Sequence, residues 1–205
     1  MDRDRLPLFP ISTVLFPGAR MPLHIFEQRY RRMVARCMAS DGLFGMIYHD
    51  PDLDGPFLFD GCRVGSVARI VESRLLEDGR SLILVEGAGR FTIEREIHSD
   101  APFYEAHVLE YEDGLRSAGG TGRVRKASLD SFMDVVRSID CPEGEVPCFD
   151  LDQDLSFQLA PCIHIDPQWQ QSLLSLQSEG ARLERLDAVL QAALERDPIG
   201  DEVPP

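Results

Sequence analysis

Lysine is almost missing from this chain of 205 residues: Lys126 is the single example, so 20 of the 21 basic side chains are arginine. A phosphate-binding GxxxxGK[ST] loop needs glycine before its lysine, and Lys126 follows Arg125, so that kind of nucleotide site is excluded. Long apolar runs are lacking as well. None approaches the ~18 residues that cross a bilayer, and the opening MDRDRLPLFP has no uninterrupted apolar region of the kind a signal peptide carries. A cytoplasmic protein is expected. Cysteine is sparse and its pattern unpaired: Cys37, Cys62, Cys141, Cys148 and Cys162 are odd in number and contain no C-x-x-C. Reduced thiols fit this better than a disulfide framework. Positive charge is the last shortage. With 35 acidic against 21 basic side chains the formal net charge is −14, which disfavours nucleic acid and anionic membranes as general partners, because phosphates are bound by displacing counterions with Lys and Arg.

What is present describes an ordinary globular chain, 43% apolar and 27% charged, with enough length to bury a real core. The stretch PLFPISTVLFPGARMPLHIFE, Pro7 to Glu27, has four prolines inside an apolar run. Proline cannot donate to a sheet ladder, so these belong at strand ends, edges and turns. Two short strands are expected, Leu6 to Phe9 and Met21 to Phe26, with a turn at FPG. The period then changes. Tyr30, Met33, Val34, Cys37 and Met38 form one helical stripe, with Arg29, Arg31, Arg32 and Arg36 mainly toward solvent. Leu43 to His49 reads as a strand. CRVGSVARIVESRLL and SLILVEGAGRFTIEREI read as a long antiparallel pair joined by the Asp-Gly hairpin at Glu77 to Arg80, with Gly87 and Gly89 marking a bulge or bend. Phe103 to Glu112 looks like a closing strand. Asp113 to Gly122 has linker composition, and helical periodicity follows it: Phe132, Val135, Val136 and Ile139 share one face, Leu183, Leu186, Leu190, Ala193 and Leu194 another. Asp166-Pro167 supplies a capping side chain and a proline for a helix start. Leu151 to Cys162 fits either period. The expected division is a β-rich part over 1–112, a linker over 113–122, a helical bundle over 123–197 and a flexible tail over 198–205.

Three places invite chemistry. HDPDLDG sets Asp50, Asp52 and Asp54 at alternate positions before a glycine, as a calcium loop does, but position twelve is Gly61 where a bidentate Glu is needed. A solvated acidic loop is the favoured reading and a calcium site the lesser one. Cys162 and His164, with Cys141 and Cys148, lack the spacing of paired zinc knuckles, and no Cys or His has the orienting context of a nucleophile. The remaining histidines, His24 among them, default to packing or surface roles. Phe57, Leu58 and Phe59 ordinarily begin the next strand; the functional alternative is an apolar rim that holds an extended peptide.

LPLFPISTVLFPGARMPLHIFEQRYRRMV, together with GCRVGSVARI, LLEDGRSLILVEGAGRFTI and LAPCIHIDPQWQQSLLSLQSEGARLERL, closely resembles the amino-terminal, substrate-binding domain of Lon proteases, from Leu6 to about Leu194. The resemblance implies an α+β fold: a PUA-like antiparallel β-pseudobarrel with one helix inserted after the second strand, followed by a C-terminal helical bundle. It tips Leu151 to Cys162 toward helix. In full-length Lon proteases this domain precedes an ATPase module and a protease module with a Ser-Lys dyad; neither is expected in the residues left over here. A dyad would have to use Lys126, near the start of an exposed helix, where nothing would desolvate it as a catalytic lysine requires. The expectation is a non-catalytic recognition module without a cofactor, engaging unfolded or apolar polypeptide segments, with a separate protease as a further candidate partner. Its acidic surroundings are expected to repel acidic clients. Two other classes stay open: an RNA-associated module, since related PUA domains bind RNA and Arg29, Arg31, Arg32 and Arg36 form a local basic patch, and a calcium-dependent module resting on the Asp50 loop.

Overall fold

The computed structural model describes residues 5–50, 63–114, 121–139, 147–163 and 165–195. The prolines do what their chemistry dictates. Strand β1 (Arg5–Ile11) ends in a loop whose FPG turn is closed by the Ala19 N–H donating to the Phe16 carbonyl at 3.1 Å, with Gly18 at φ 78°. Strand β2 (Arg20–Ile25) follows, then helix α1 (Gln28–Met38), strand β3 (Leu43–Tyr48), the long hairpin of β4 (Val64–Leu75) and β5 (Ser81–Glu96), and β6 (Tyr104–Glu110). The hairpin turns at Gly79, φ 78°, where the Gly79 N–H donates to Leu76 and the Leu76 N–H to Arg80.

The six strands run in the order β2-β5-β4-β3-β1-β6, and β5 pairs with β6 as well. Closure depends on β5 being long enough to serve two partners. Its first half, Ser81 to Glu86, pairs with β2, and its second half, Phe91 to Glu96, pairs with β6. Between them the register against β4 slips at Val67/Ala68, opposite Gly87 and Gly89, so the expected bulge is there and bends the strand between its two neighbours. Gly87 is required for a second reason. A Cβ on it would lie 2.2 Å from the Phe16 carbonyl oxygen, because the FPG turn rests directly on this backbone. One expectation needs correction: the barrel is not wholly antiparallel. β1 and β3 are parallel, because α1 carries the chain back to the starting end before β3 begins.

Among the described residues, two apolar clusters fill this part of the chain. Leu6, Leu8, Ile47, Phe91, Ile93, Ala106 and Val108 pack together as one. Helix α1 closes the other, laying Tyr30, Met33, Val34 and Cys37 against Phe9, Leu23, Ile25 and Phe44. Met38, expected on the same stripe, is 52% exposed, since the helix ends there.

Glu105 on β6 is tied to three elements. Its carboxylate, with no exposed surface, accepts from Arg5 Nη2 at 2.9 Å, Arg36 Nη1 at 2.9 Å and the Ser99 hydroxyl at 2.5 Å. Burial alone would raise its pKa; hydrogen bonds from Arg5 and Ser99 and the charges of Arg36 and Arg5 outweigh that and hold it below the ordinary 4.5. A depressed carboxylate stabilises the fold fully above its unfolded value, and that contribution disappears as the pH falls through the lowered one. Glu105→Gln is therefore expected to cost about 1–2 kcal/mol at neutral pH, both arginines being partly in solvent. The same variant should flatten the acid limb of a urea-denaturation series below pH 5, where the parent loses stability.

The chain forms two compact units, one of residues 1–112 and 161–175, the other of 113–160 and 176–205. Helix α4 (Pro167–Leu174) thus belongs with the sheet, and the helical stretch expected as one body over 123–197 is divided. Asp166 caps α4 by accepting from the Trp169 N–H at 3.0 Å, with Pro167 in the first turn. Its C-terminal carbonyls are also held. Buried Arg90, stacked on the Tyr111 ring at 5.0 Å, donates to Leu174 O at 2.7 Å, and the Tyr111 hydroxyl donates to Ser175 O at 2.8 Å. A cation at that end also complements the helix dipole.

The other unit contains α2 (Thr121–Ser138), α3 (Leu155–Leu159) and α5 (Glu179–Glu195); a 3-10 turn over Ala160–Cys162 follows α3 where the chain passes back into the sheet unit. The ambiguous 151–162 segment is helical where it is regular, because Asp154 caps it by accepting from the Phe157 N–H at 3.2 Å. Phe132 and Val136 are buried as expected, Val135 is half-buried and Ile139 is 67% exposed at the end of α2. Leu183, Leu186 and Leu190 are buried, whereas Ala193 is exposed. Among the described residues no helix is long and apolar enough to cross a membrane.

Candidate functional site

Four consecutive apolar residues in β5, Leu82, Ile83, Leu84 and Val85, cannot all face one core, because side chains alternate across a strand. Ile83 and Val85 are buried; Leu82 is 44% exposed and Leu84 half-buried on the opposite face. β2 contributes the neighbouring row. Leu23 and Ile25 turn inward, while Arg20, Pro22 and His24 turn out, followed by Phe26, which is 61% exposed. Register sets these side chains side by side: Pro22 opposite Leu84, His24 opposite Leu82, and Arg20 opposite Glu86 with an ion pair of 2.9 Å. The His24 and Phe26 rings are 5.8 Å apart, two residues along the same face. On the β4 side the register sets Glu72 opposite Leu84 and Arg74 opposite Leu82, while Leu75, 74% exposed, stands opposite the buried Ser81 at the end of the hairpin. The outcome is an outward-facing apolar strip with an Arg20–Glu86 pair at one end.

A hollow of about 300 Å³ lies where α1 meets the β5–β6 connection, lined by Arg29, Glu96, His98, Ser99, Tyr104 and Glu105 among others. Its arginine is paired with Glu27 at 2.8 Å, and its buried acid is taken up by Arg5 and Arg36. Such mixed, internally paired charge selects no ligand class.

Of the residues singled out from the sequence, Phe57, Leu58 and Phe59 lie outside the described residues, as do Asp52, Asp54, Cys62, Cys141 and His164. Asp50 ends the described stretch after β3, and among the described residues no group of three metal-ligating side chains comes together. Cys37 is buried under α1, where burial pushes its thiol up to about 12, far from a reactive thiolate; burial raises Cys162 as well. Lys126 is exposed on α2. The apolar strip went unnoticed in the sequence, although a signal existed: an unbroken apolar run on a hairpin strand, where alternation is the rule, marks a strand with apolar side chains on both faces.

The model of the ATP-dependent protease La (LON) substrate-binding domain matches residues 5–192. Over 119 residues the chain is 33% identical to the Lon protease of Cytophaga hutchinsonii, covering 55% of this chain and 14% of that one. Over 197 residues it is 24% identical to the Lon protease of Xanthomonas oryzae, covering 93% of this chain and 23% of that one. The chain therefore spans less than a quarter of the length of these curated relatives. Among solved structures, a Lon N-terminal domain protein from Xanthomonas campestris superposes with a TM-score of 0.61 at 25% identity, covering 90% of this chain and 97% of the other. The N-terminal domain of the Mycobacterium avium complex Lon protease gives 0.66 at 14% identity, covering 91% and 98%; at that identity the likeness speaks for the fold alone. The matched region is the substrate-binding domain and includes no catalytic module.

Proposed function

Because the chain belongs to the Lon substrate-binding domain family, we propose that it is a non-catalytic module that recognises exposed apolar segments of other polypeptides, in the service of protein quality control. The observation that carries this reading is the outward apolar strip. Phe26, just past the end of β2, and Leu82, on the neighbouring β5, expose 61% and 44% of their surface beside a long paired hairpin. The strands beside them are already paired in a ladder, so a bound segment would gain apolar burial of roughly 25 cal/mol per Å² with little ordering of the receptor. The Arg20–Glu86 pair and His24 keep a polar rim around the strip. A separate protease is the natural consumer of what such a module holds. Neither ATP hydrolysis nor peptide cleavage is assigned to this chain: Lys126, its sole lysine, stands exposed on α2.

The test is a binding measurement. Labelled, permanently unfolded polypeptide should bind the parent protein, and Phe26→Ser with Leu82→Ser should weaken binding about tenfold or more, the loss expected when two apolar anchors are removed. Both positions face solvent, so the double variant should keep its unfolding midpoint. Equal binding by parent and variant, or turnover of ATP or casein by highly purified protein, defeats the reading.

A further inference from the structure

Resting on the polypeptide-recognition reading above, we infer that the outer edge of β2 receives its client as an added strand, and that the preferred segment is apolar with acidic residues flanking it. β2 stands at the end of the strand order, with β5 as its one neighbour among the described strands. The direction of its backbone groups follows from two observations. In an antiparallel ladder hydrogen-bonded and non-bonded pairs alternate. Pro22 has no N–H, so its pairing with Leu84 is of the non-bonded kind, and Met21–Val85, Leu23–Ile83 and Ile25–Ser81 are the bonded pairs. The neighbouring turn agrees: the Gly87 N–H donates to Ala19 O at 3.0 Å, two residues before the Met21 pair. The N–H groups of Arg20 and His24 and the carbonyls of Arg20, Pro22 and His24 consequently point away from β5. Among the described residues none of them makes a backbone hydrogen bond beyond the ladder. Alternate side chains of an added strand would continue the face formed by Pro22, His24, Phe26 and Leu82, while its backbone supplied the missing partners.

Two features choose the occupant. A second copy of the chain is a poor fit, because β2 paired with itself about its middle sets Pro22 against Pro22, with no donor on either side, and brings together two chains of net charge −14. The local charge has the opposite sign. From Arg20 to Arg36 there are five arginines and one acid, Glu27. Arg20, Arg29 and Arg36 are paired with Glu86, Glu27 and Glu105, and Arg31 lies against the β4–β5 turn at Gly79, where its charge acts on Asp78, whereas Arg32 forms no ion pair among the described residues. The acidic surroundings expected to repel acidic clients thus stop short of this edge, and a client's carboxylates find cations on the helix that continues from β2.

A capped, labelled twelve-residue peptide with alternating Phe/Val and Thr in its centre and two glutamates at each end is titrated into the full chain. Four results are expected. N-methylation of alternate backbone nitrogens weakens binding about tenfold for one alternate set and little for the other, since only one edge of the peptide meets β2. His24→Pro, which removes an outward N–H and no ladder bond, gives a similar loss. Amide exchange at Arg20 and His24, fast in the free protein, slows when peptide is added, while Met21, Leu23 and Ile25 are slow throughout. Replacing the glutamates by lysines should weaken binding further, and raising the salt should narrow that difference. Binding that ignores N-methylation of either set overturns strand addition while leaving polypeptide recognition intact, as does a His24 amide already protected in the free protein at every concentration. Protection of His24 that grows with protein concentration alone assigns the edge to a second copy, and displacement of the peptide by an RNA oligomer assigns it to nucleic acid; each overturns the proposal. Failure of both this peptide and unfolded polypeptide to bind removes the recognition reading itself.

Discussion

Arg182→Ala is expected to lower the stability of the helical unit by about 3–5 kcal/mol, the range found when one partner of a buried ion pair is removed. Arg182, on α5, is fully buried, and all five of its N–H groups have an acceptor. Nη1 donates to Asp113 Oδ1 at 2.7 Å and to Leu176 O at 2.6 Å; Nη2 donates to Asp113 Oδ2 at 2.6 Å and to Asp154 Oδ2 at 2.7 Å; Nε donates to the Ser156 hydroxyl at 2.7 Å. The guanidinium also lies over the Phe157 ring, 4.1 Å from its centroid. Burial disfavours its charge, but the carboxylates of Asp113 and Asp154 outweigh that and raise its pKa, so it stays protonated. Alanine would remove the cation that Asp113 and Asp154 share and the donor to the Leu176 carbonyl, and would leave a cavity where the side chain stood. Arg182→Lys should recover little of the loss, since one ammonium cannot reproduce a fork that reaches acceptors on several sides. Urea denaturation followed by far-ultraviolet circular dichroism measures both variants. A midpoint for Arg182→Ala within error of the parent would show that the network is ornamental.

Phe91→Ala should cost about 3–5 kcal/mol in the sheet unit, at the upper end for a core aromatic. The reason is the pair of glycines beneath the ring. A Cβ on Gly45 would lie 2.7 Å from Phe91 Cζ, and one on Gly65 2.5 Å from the same atom, so the ring occupies space that neighbouring side chains would otherwise fill. Phe91 itself is 1% exposed. With the ring removed, two glycines have nothing to extend into the void, and Leu8, already against Gly45, cannot fill it alone. Phe91→Leu, which keeps most of the volume, should lose well under half as much. Guanidinium unfolding monitored by amide exchange in β3, β4 and β5 separates the two; equal losses for Ala and Leu would point to the aromatic contacts instead of the volume.

Much of this fold was legible in the residues, and where it was not the reason is physical. Strands β1, β2 and β6, helix α1 and the Asp-Gly hairpin follow from local chemistry that acts within a few residues: proline without its donor, a 3.6-residue stripe, a glycine at positive φ. The bulge at Gly87 and Gly89 was visible for the same reason. Parallel pairing of β1 with β3 depends on a crossover and has no local signature. Nor does the return of α4 to the sheet, which rests on Arg90, Tyr111 and the Gln171 side chain donating to Val64 O at 2.9 Å, partners distant in sequence. The candidate site was the least legible part. In the sequence Phe57, Leu58 and Phe59 stand out because they follow an acidic loop, whereas the outward apolar strip is made by register, which brings His24 beside Leu82 and Pro22 beside Leu84. Periodicity shows that a face exists; only pairing shows what it becomes.

The alternation of the chain between its two units has a further meaning. The polypeptide leaves the sheet unit after Glu112, re-enters at Pro161 and departs again after Ser175. Neither unit is a contiguous stretch, so no single cleavage liberates one intact. Trimming back to the first 112 residues strands Arg90 without the Leu174 carbonyl that it holds, and shuffling by simple fusion at one junction would inherit half of each body. A transplant of either unit has to carry both of its segments.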